Sequence, residues 1–220
     1  MIRRPPRSTQ SRSSAASDVY KRQVGVLPWT FFATGLNGSI QSLTSQRDLV
    51  TKVYFPQQIL PLTSIASAFF DFLVASMVLV GLVVYFDATS DWSFAFRPEL
   101  LMLPLVVAVQ VVLMVGLGLW LALGNLWYRD VKYLFAVGIQ MWMFLTNVLY
   151  PLPTDGSAAL RWLTTVNPMV PIISAYRDIV IHGRLPEAVP FLTALGVSVV
   201  LAASGWAVYR ALEGRFAERV

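Results

Sequence analysis

Few side chains in this 220-residue chain could do chemistry, and their spacing lets them do little of it. There is no cysteine, hence no thiol nucleophile, no disulfide and no thiolate metal site. There is one histidine, His182. A single imidazole cannot build the multi-histidine sites that hold zinc or iron, and in a polar loop it reads as a solvated residue, so no metal is expected. The carboxylates stand singly rather than in the clusters that acid–base work needs, and no catalytic residue is assigned. The three lysines, Lys21, Lys52 and Lys132, follow no G-x-x-x-x-G-K-[ST] frame, so the chain offers no loop for ATP. One group is out of place. Asp71 sits in the middle of an apolar stretch, where a carboxylate costs about 2.5–3.5 kcal/mol if the stretch lies in a bilayer, so it must face protein or water. It lines a channel, or it is protonated and pins its helix to a neighbour. Pinning is the favoured reading. A proton relay is disfavoured, because no second carboxylate lies in any span.

The stretches around these groups set the class. Residues 100–127, 133–150 and 188–209 carry no charge, and 59–86 carries only Asp71. A bilayer core about 30 Å thick takes about 20 apolar residues per helix. Residues 24–43 read as the second half of a further span that turns polar as it leaves the membrane. The expectation is an all-α, polytopic membrane protein with about five spans. At 56% hydrophobic and 13% charged, the composition excludes an ordinary soluble domain, for which about 25% charged is usual.

The net charge of +5 does not indicate nucleic acid. It resides in residues 1–23, which are rich in arginine and serine and lack apolar periodicity; the other 197 residues are neutral overall. This tail resembles translated adaptor read-through, and a disordered basic arm or a transit peptide are the alternatives. It is expected to form no span, with the native N-terminus lost ahead of Val24.

If the spans alternate, loops 47–58, 128–132 and 210–220 share one side and hold 7 basic residues in 28, against 4 in 49 for 87–98 plus 151–187. The positive-inside rule puts the first set, and the C-terminus, in the cytoplasm. Trp127, Tyr128, Tyr133, Trp206 and Tyr209 then form an inner aromatic belt, and Tyr85, Phe86, Trp92 and Tyr150 an outer one. Residues 151–187, cut by Pro151, Pro168 and Pro171, hold two apolar pieces too short to span. They suggest an outer re-entrant hairpin, with an amphipathic external loop as the alternative.

Four motifs in this layout resemble one family. LPWTFFATGLNGSIQSLTSQRDLVTKVYFPQQILPL (27–62), LWYRDVKYLF (126–135), VNPMVPIISAYRDIVIHG (166–183) and RFAERV (215–220) resemble, in order, segments of type-2 ABC exporter permeases. The match is to the branch exporting polysaccharide and polyol phosphate, covering O-antigen, capsule and teichoic acid, and it spans about residues 24–220. The family's N-terminal amphipathic helix and first span have no counterpart. Where the family often shows Ser-Pro, the chain has Tyr150-Pro151.

The resemblance implies the type-2 exporter membrane fold in the cytoplasmic membrane of a bacterium or archaeon. It implies a homodimer of the chain with two copies of a separate ABC ATPase that bind the ATP and Mg²⁺, and a lipid-linked glycan as cargo among the membrane lipids. By the same resemblance, the loop 44–58, with Arg47, Asp48, Leu49, Lys52, Val53, Tyr54, Phe55 and Pro56, is the coupling contact with that ATPase. Tyr128, Arg129 and Asp130 form the inner link, and Asn167, Pro168 and Arg177 mark the outer segment. A drug or lipid exporter of the same class, a membrane-embedded glycosyl- or acyltransferase, and a scaffold without transport are the competing readings.

Overall fold

The structure is a computed structural model that describes residues 7–45, 57–89, 97–146, 148 and 166–212, with side chains from residue 23 onward and none for 86–89. Every regular element among them is helical. Helix α1 is Arg7–Ser45, α2 is Ile59–Thr89, and a 3₁₀ turn over Pro98–Met102 leads into α3, Leu103–Trp127. Helix α4 is Val131–Leu145, α5 is Met169–Arg177 extended by a π-helical turn over Asp178–His182, and α6 is Ala188–Leu212. By length and apolarity, Ile59–Tyr85, Pro98–Trp127 and Ala188–Leu212 can each cross a membrane.

Some boundaries differ from those the apolar runs suggest. Val24 is not a helix start, since the α1 backbone is continuous from Arg7. Helix α4 ends at Leu145, where Thr146 turns to extended backbone, so its 15 residues rise only about 22 Å. Of the expected loop 44–58, Thr44 and Ser45 belong to α1, and Gln57 and Gln58 turn into α2. Residues 46–56 lie outside the described residues, as do 149–165, which hold the first limb of the expected hairpin.

Helices α1, α2 and α3 pack side by side, and α6 lies along α3. Small residues allow this closeness, as in membrane bundles generally. A Cβ on Gly116 of α3 would come within 2.6 Å of the α6 backbone at Leu201 and Ala202, so only glycine fits there. Ser39 of α1 bonds the Pro61 carbonyl of α2 at 3.1 Å. The main core joins Phe31, Phe32, Leu36, Ile65, Phe72, Leu113 and Met114 to Ile172 and Ile173 of α5. Phe31 stacks on Phe72 at 5.0 Å, and Phe32 meets Trp142 edge-on at 5.3 Å. A smaller core of Leu43, Leu60, Leu119, Leu123 and Tyr209 closes one end. Tyr209 is therefore a core residue and not part of an aromatic belt, whereas Trp127, Tyr128, Tyr133, Trp206 and Tyr85 are exposed as a belt requires.

The helices thus have two ends. One gathers residues 44–45, 57–60, 125–132 and 209–212, and is called the basic end below. The other gathers residues 23–25, 97–102, 146, 148 and 166–187, and is called the hairpin end.

Candidate functional site

At the hairpin end, two of the motif residues close a polar clamp. Asn167 stands just ahead of α5. Its Oδ1 accepts the Met169 amide at 3.1 Å and the Trp142 indole N–H at 3.0 Å, while its Nδ2 donates to Thr146 Oγ1 at 2.9 Å. It holds the first amide of α5 and ties that helix to the end of α4 at once. Ten residues on, Arg177 Nη2 donates to the Val148 carbonyl at 2.6 Å. Gly25 of α1 underlies that pair, because a Cβ there would stand 2.7 Å from the Val148 oxygen and 3.1 Å from Arg177. Pro168 is the residue from which α5 starts. Burial pulls the Arg177 guanidinium below its ordinary value without discharging it.

Deeper in, a buried relay joins three helices. Gln110 of α3 donates from Nε2 to the Pro28 carbonyl of α1 at 2.7 Å and accepts from the Tyr176 hydroxyl of α5 at 2.9 Å. Both partners matter in an apolar interior, where an unpaired amide or carbonyl is expensive. Pro28 itself has no N–H to give α1, which loosens the helix at that level. Burial pushes the Tyr176 phenol up, so it remains a donor.

At the start of the π-helical turn, Asp178 accepts Arg184 Nη2 at 2.7 Å and faces His182 Nδ1 at 3.2 Å. Arg97 Nη1 donates to the His182 carbonyl at 2.9 Å. His182 thus sits in a surface ion cluster, with its side chain about half exposed.

Asp71 behaves differently. It is exposed on α2 and accepts no hydrogen bond from any described residue, so the pinning contact favoured from the sequence is not made among the described residues. It lines a groove of about 380 Å³ between α1 and α2 with Gln23, Thr30, Thr34, Ala68 and Phe72. Thr63, Ser67 and Asp71 follow one another at four-residue spacing on the exposed side of α2, and Thr30, Thr34 and Gln41 are exposed on α1. A helix pair in a bilayer does not turn such a stripe to lipid. The stripe belongs against water or protein, whereas Phe70, Met77, Val78 and Val80 give α2 its apolar outer surface.

At the basic end, Tyr128, Arg129 and Asp130 form the tight link between α3 and α4, and all three are exposed. The Tyr128 amide bonds the Gly124 carbonyl at 2.8 Å and the Val131 amide bonds the Tyr128 carbonyl at 3.0 Å. Asn125, buried one turn earlier, donates to the Ile40 carbonyl of α1 at 2.8 Å.

The structure therefore brings Asn167, Pro168 and Arg177 together, keeps Asp71 and the Tyr128–Asp130 link apart from them, and leaves Arg47 to Pro56 outside the described residues. Sequence reading passed over Gln110, Asn125, Tyr176, Trp142 and Gly25. A signal for two of them was present: Gln110 and Asn125 are the side-chain amides in an otherwise apolar span, and such amides need partners.

The family described as ABC-2 type transporter matches residues 9–181. The chain is 31% identical over 198 residues to the O-antigen export system permease protein RfbA of Myxococcus xanthus, covering 90% of this chain and 74% of that protein. It is 27% identical over 198 residues to the protein of the same name from Klebsiella pneumoniae, covering 88% of this chain and 72% of that one.

Proposed function

Since the chain belongs to the ABC-2 type transporter family, whose permeases work with an ABC ATPase, we propose that it is the membrane-spanning subunit of an ATP-driven polysaccharide exporter. The cargo on this reading is a lipid-linked polysaccharide, in keeping with relatives named for O-antigen export. The observation that carries the reading in the fold is the groove of Asp71, Thr30 and Thr34 on the outside of α1 and α2. It supplies hydroxyl and carboxylate oxygens to a sugar chain while an apolar flank faces lipid. Two copies of the chain enclose this polar wall, and their grooves form the path.

ATP and Mg²⁺ are held by two copies of the partner ATPase, and this chain contributes no hydrolytic residue. The loop carrying Arg47, Asp48, Leu49, Lys52, Val53, Tyr54, Phe55 and Pro56 receives the ATPase stroke on the cytoplasmic side, where the C-terminus also lies. Helix α1 runs from that loop to the clamp, so one element touches both. The protein sits in the cytoplasmic membrane of a prokaryote.

The chain's lack of cysteine makes a clean test. Thr34→Cys and Val78→Cys are each made, the protein is co-expressed with its ATPase in vesicles, and a bulky membrane-impermeant thiol reagent is added. Modification at Thr34→Cys should stop export, while Val78→Cys resists the reagent and keeps exporting. Labelling of both, or neither, with export unchanged overturns the placement of the path.

A further inference from the structure

A second cavity, of about 360 Å³, lies at the basic end and is lined by Gln41, Thr44, Ser45, Asn125, Arg129 and Lys132. We propose that it binds the phosphate group of a lipid at the cytoplasmic interface. Four observations carry this.

First, it holds two cations that no carboxylate neutralises among the described residues. Arg129 makes no ion pair there, and the Lys132 ammonium rests over the Tyr133 ring, 4.8 Å from its centroid. Asp130 lies between them in sequence but is not in the lining.

Second, the cavity keeps polar capacity unused. The Gln41 side chain makes no hydrogen bond to a described residue. Asn125 is 1% exposed, and its Oδ1 has no partner among the described residues although its Nδ2 has two. A buried amide oxygen without a partner costs about 1–3 kcal/mol; as an acceptor it cannot pair with a bare phosphate oxygen, but it can take the O–H of a singly protonated phosphomonoester.

Third, the backbone field is unequal to the charges. The α4 helix starts at Val131 and presents its positive end to the cavity, whereas α1 finishes there at Ser45 with its negative end. The α3 helix, which ends at Trp127 beside the lining Asn125, adds a second negative end. Each helix end amounts to about half a charge, so the backbone leaves about half a negative charge, which the two cations outweigh.

Fourth, the level fits a lipid phosphate. Trp127, Tyr128 and Tyr133, next in sequence to the lining Arg129 and Lys132, are exposed, the pattern of an aromatic belt at headgroup depth. Basic pockets between helices at the cytoplasmic face are known to take anionic headgroups.

The site stands on this geometry and not on the export reading, so its test needs no ATPase. The whole chain is purified, and lipid adducts are counted by native mass spectrometry against phosphatidic acid, a long-chain polyprenyl phosphate, phosphatidylcholine and inorganic phosphate. Both phosphomonoester lipids should bind saturably and phosphatidylcholine should not. Each basic residue near the surface contributes about fivefold, so Arg129→Gln with Lys132→Gln should weaken binding by roughly thirtyfold. Arg210→Gln, which lies outside the cavity, is the control for charge in general. Displacement by inorganic phosphate assigns the site to free phosphate of the same chemistry, and resistance to it assigns the site to the lipid-borne group. Equal binding by the double variant, an equal loss with Arg210→Gln, or no preference over phosphatidylcholine overturns the proposal.

Discussion

The clamp at the hairpin end and the groove beside Asp71 are built from the same kinds of polar side chain in the same apolar surroundings, yet only one of them is saturated. Asn167 uses both ends of its amide, Gln110 does the same, and Arg177 reaches a carbonyl. Asp71 has no partner among the described residues, and neither has Arg129. In a bilayer an unmade hydrogen bond has no water to fall back on. Saturated polar groups there hold helices together. Unsaturated ones need something that is absent from the monomer: water, cargo, lipid or a second copy. The contrast therefore sorts scaffold from working surface without any appeal to motif.

Substitutions on the saturated side should lower stability, read as thermal unfolding of the detergent-purified chain. The largest effect belongs to Gly116→Val, although it removes no hydrogen bond. Its Cβ would press within 2.6 Å of the α6 backbone, and a backbone cannot swing away as a side chain can. We expect a loss of about 3 kcal/mol, at the top of the usual range for overpacking. A loss below that for Asn167→Ala would show that α3 and α6 are less tightly joined than drawn.

Asn167→Ala comes next, removing the bond to the first amide of α5, two short ties to the end of α4 and a longer one to the Leu145 carbonyl. Interhelical bonds in membranes average about 0.6 kcal/mol each, so the sum with the amide bond is about 2 kcal/mol. Asn167→Asp retains the acceptor for Trp142 and Met169 and loses the donor to Thr146 and, at 3.5 Å, to the Leu145 carbonyl, and should fall between wild type and alanine. If Asp and Ala behave alike, the acceptor side of the clamp carries nothing.

Much of this was legible in the sequence and some was not, for a definite reason. Run length and absence of charge located α2, α3 and α6 to within a few residues, because crossing a bilayer imposes a length. The outer motif was found too, since its prolines and Asn167 stand out. What it touches was not readable. Gln110 lies 82 residues from Pro28 and 66 from Tyr176, and local periodicity carries no information over such distances. The end of α4 was misjudged for a related reason: its apolar run continues past Leu145, but Thr146 is taken up by Asn167, 21 residues away. Tyr209 was misread because aromatic identity near a helix end fits a belt and a core equally well. Asp71 was placed on the right helix, but its surroundings depend on how α1 and α2 meet.

Gln110→Leu tests the relay at nearly constant volume. It strands the Tyr176 hydroxyl and leaves Pro28 without its donor, at about 1–2 kcal/mol together. Changing Tyr176 to Phe as well should recover part of that loss, because a missing partner costs less than a stranded one. If the double change is worse than the single, the pair does not act through this bond.

The smallest expected effect on stability is the most informative. Asp71→Leu removes a carboxylate from an apolar span and breaks no contact with a described residue, so unfolding should shift by no more than about 0.5 kcal/mol, or rise slightly as the cost of a carboxylate at membrane depth disappears. Were Asp71 pinned to a neighbouring helix, as its position alone first suggests, the same change would cost more than about 1 kcal/mol and Asp71→Asn would largely rescue it. Export separates the cases in the other direction. If the groove is the path, Asp71→Leu should impair transport while leaving the folded subunit and its complex with the ATPase intact, because a leucine turns a wet wall apolar where a sugar chain must slide. Asn restores polarity without charge, so Asp71→Asn should recover most of the transport. A stable Asp71→Leu protein that exports normally would mean that an unsatisfied polar group in this fold can be idle, and the sorting of scaffold from working surface would then fail at its clearest example.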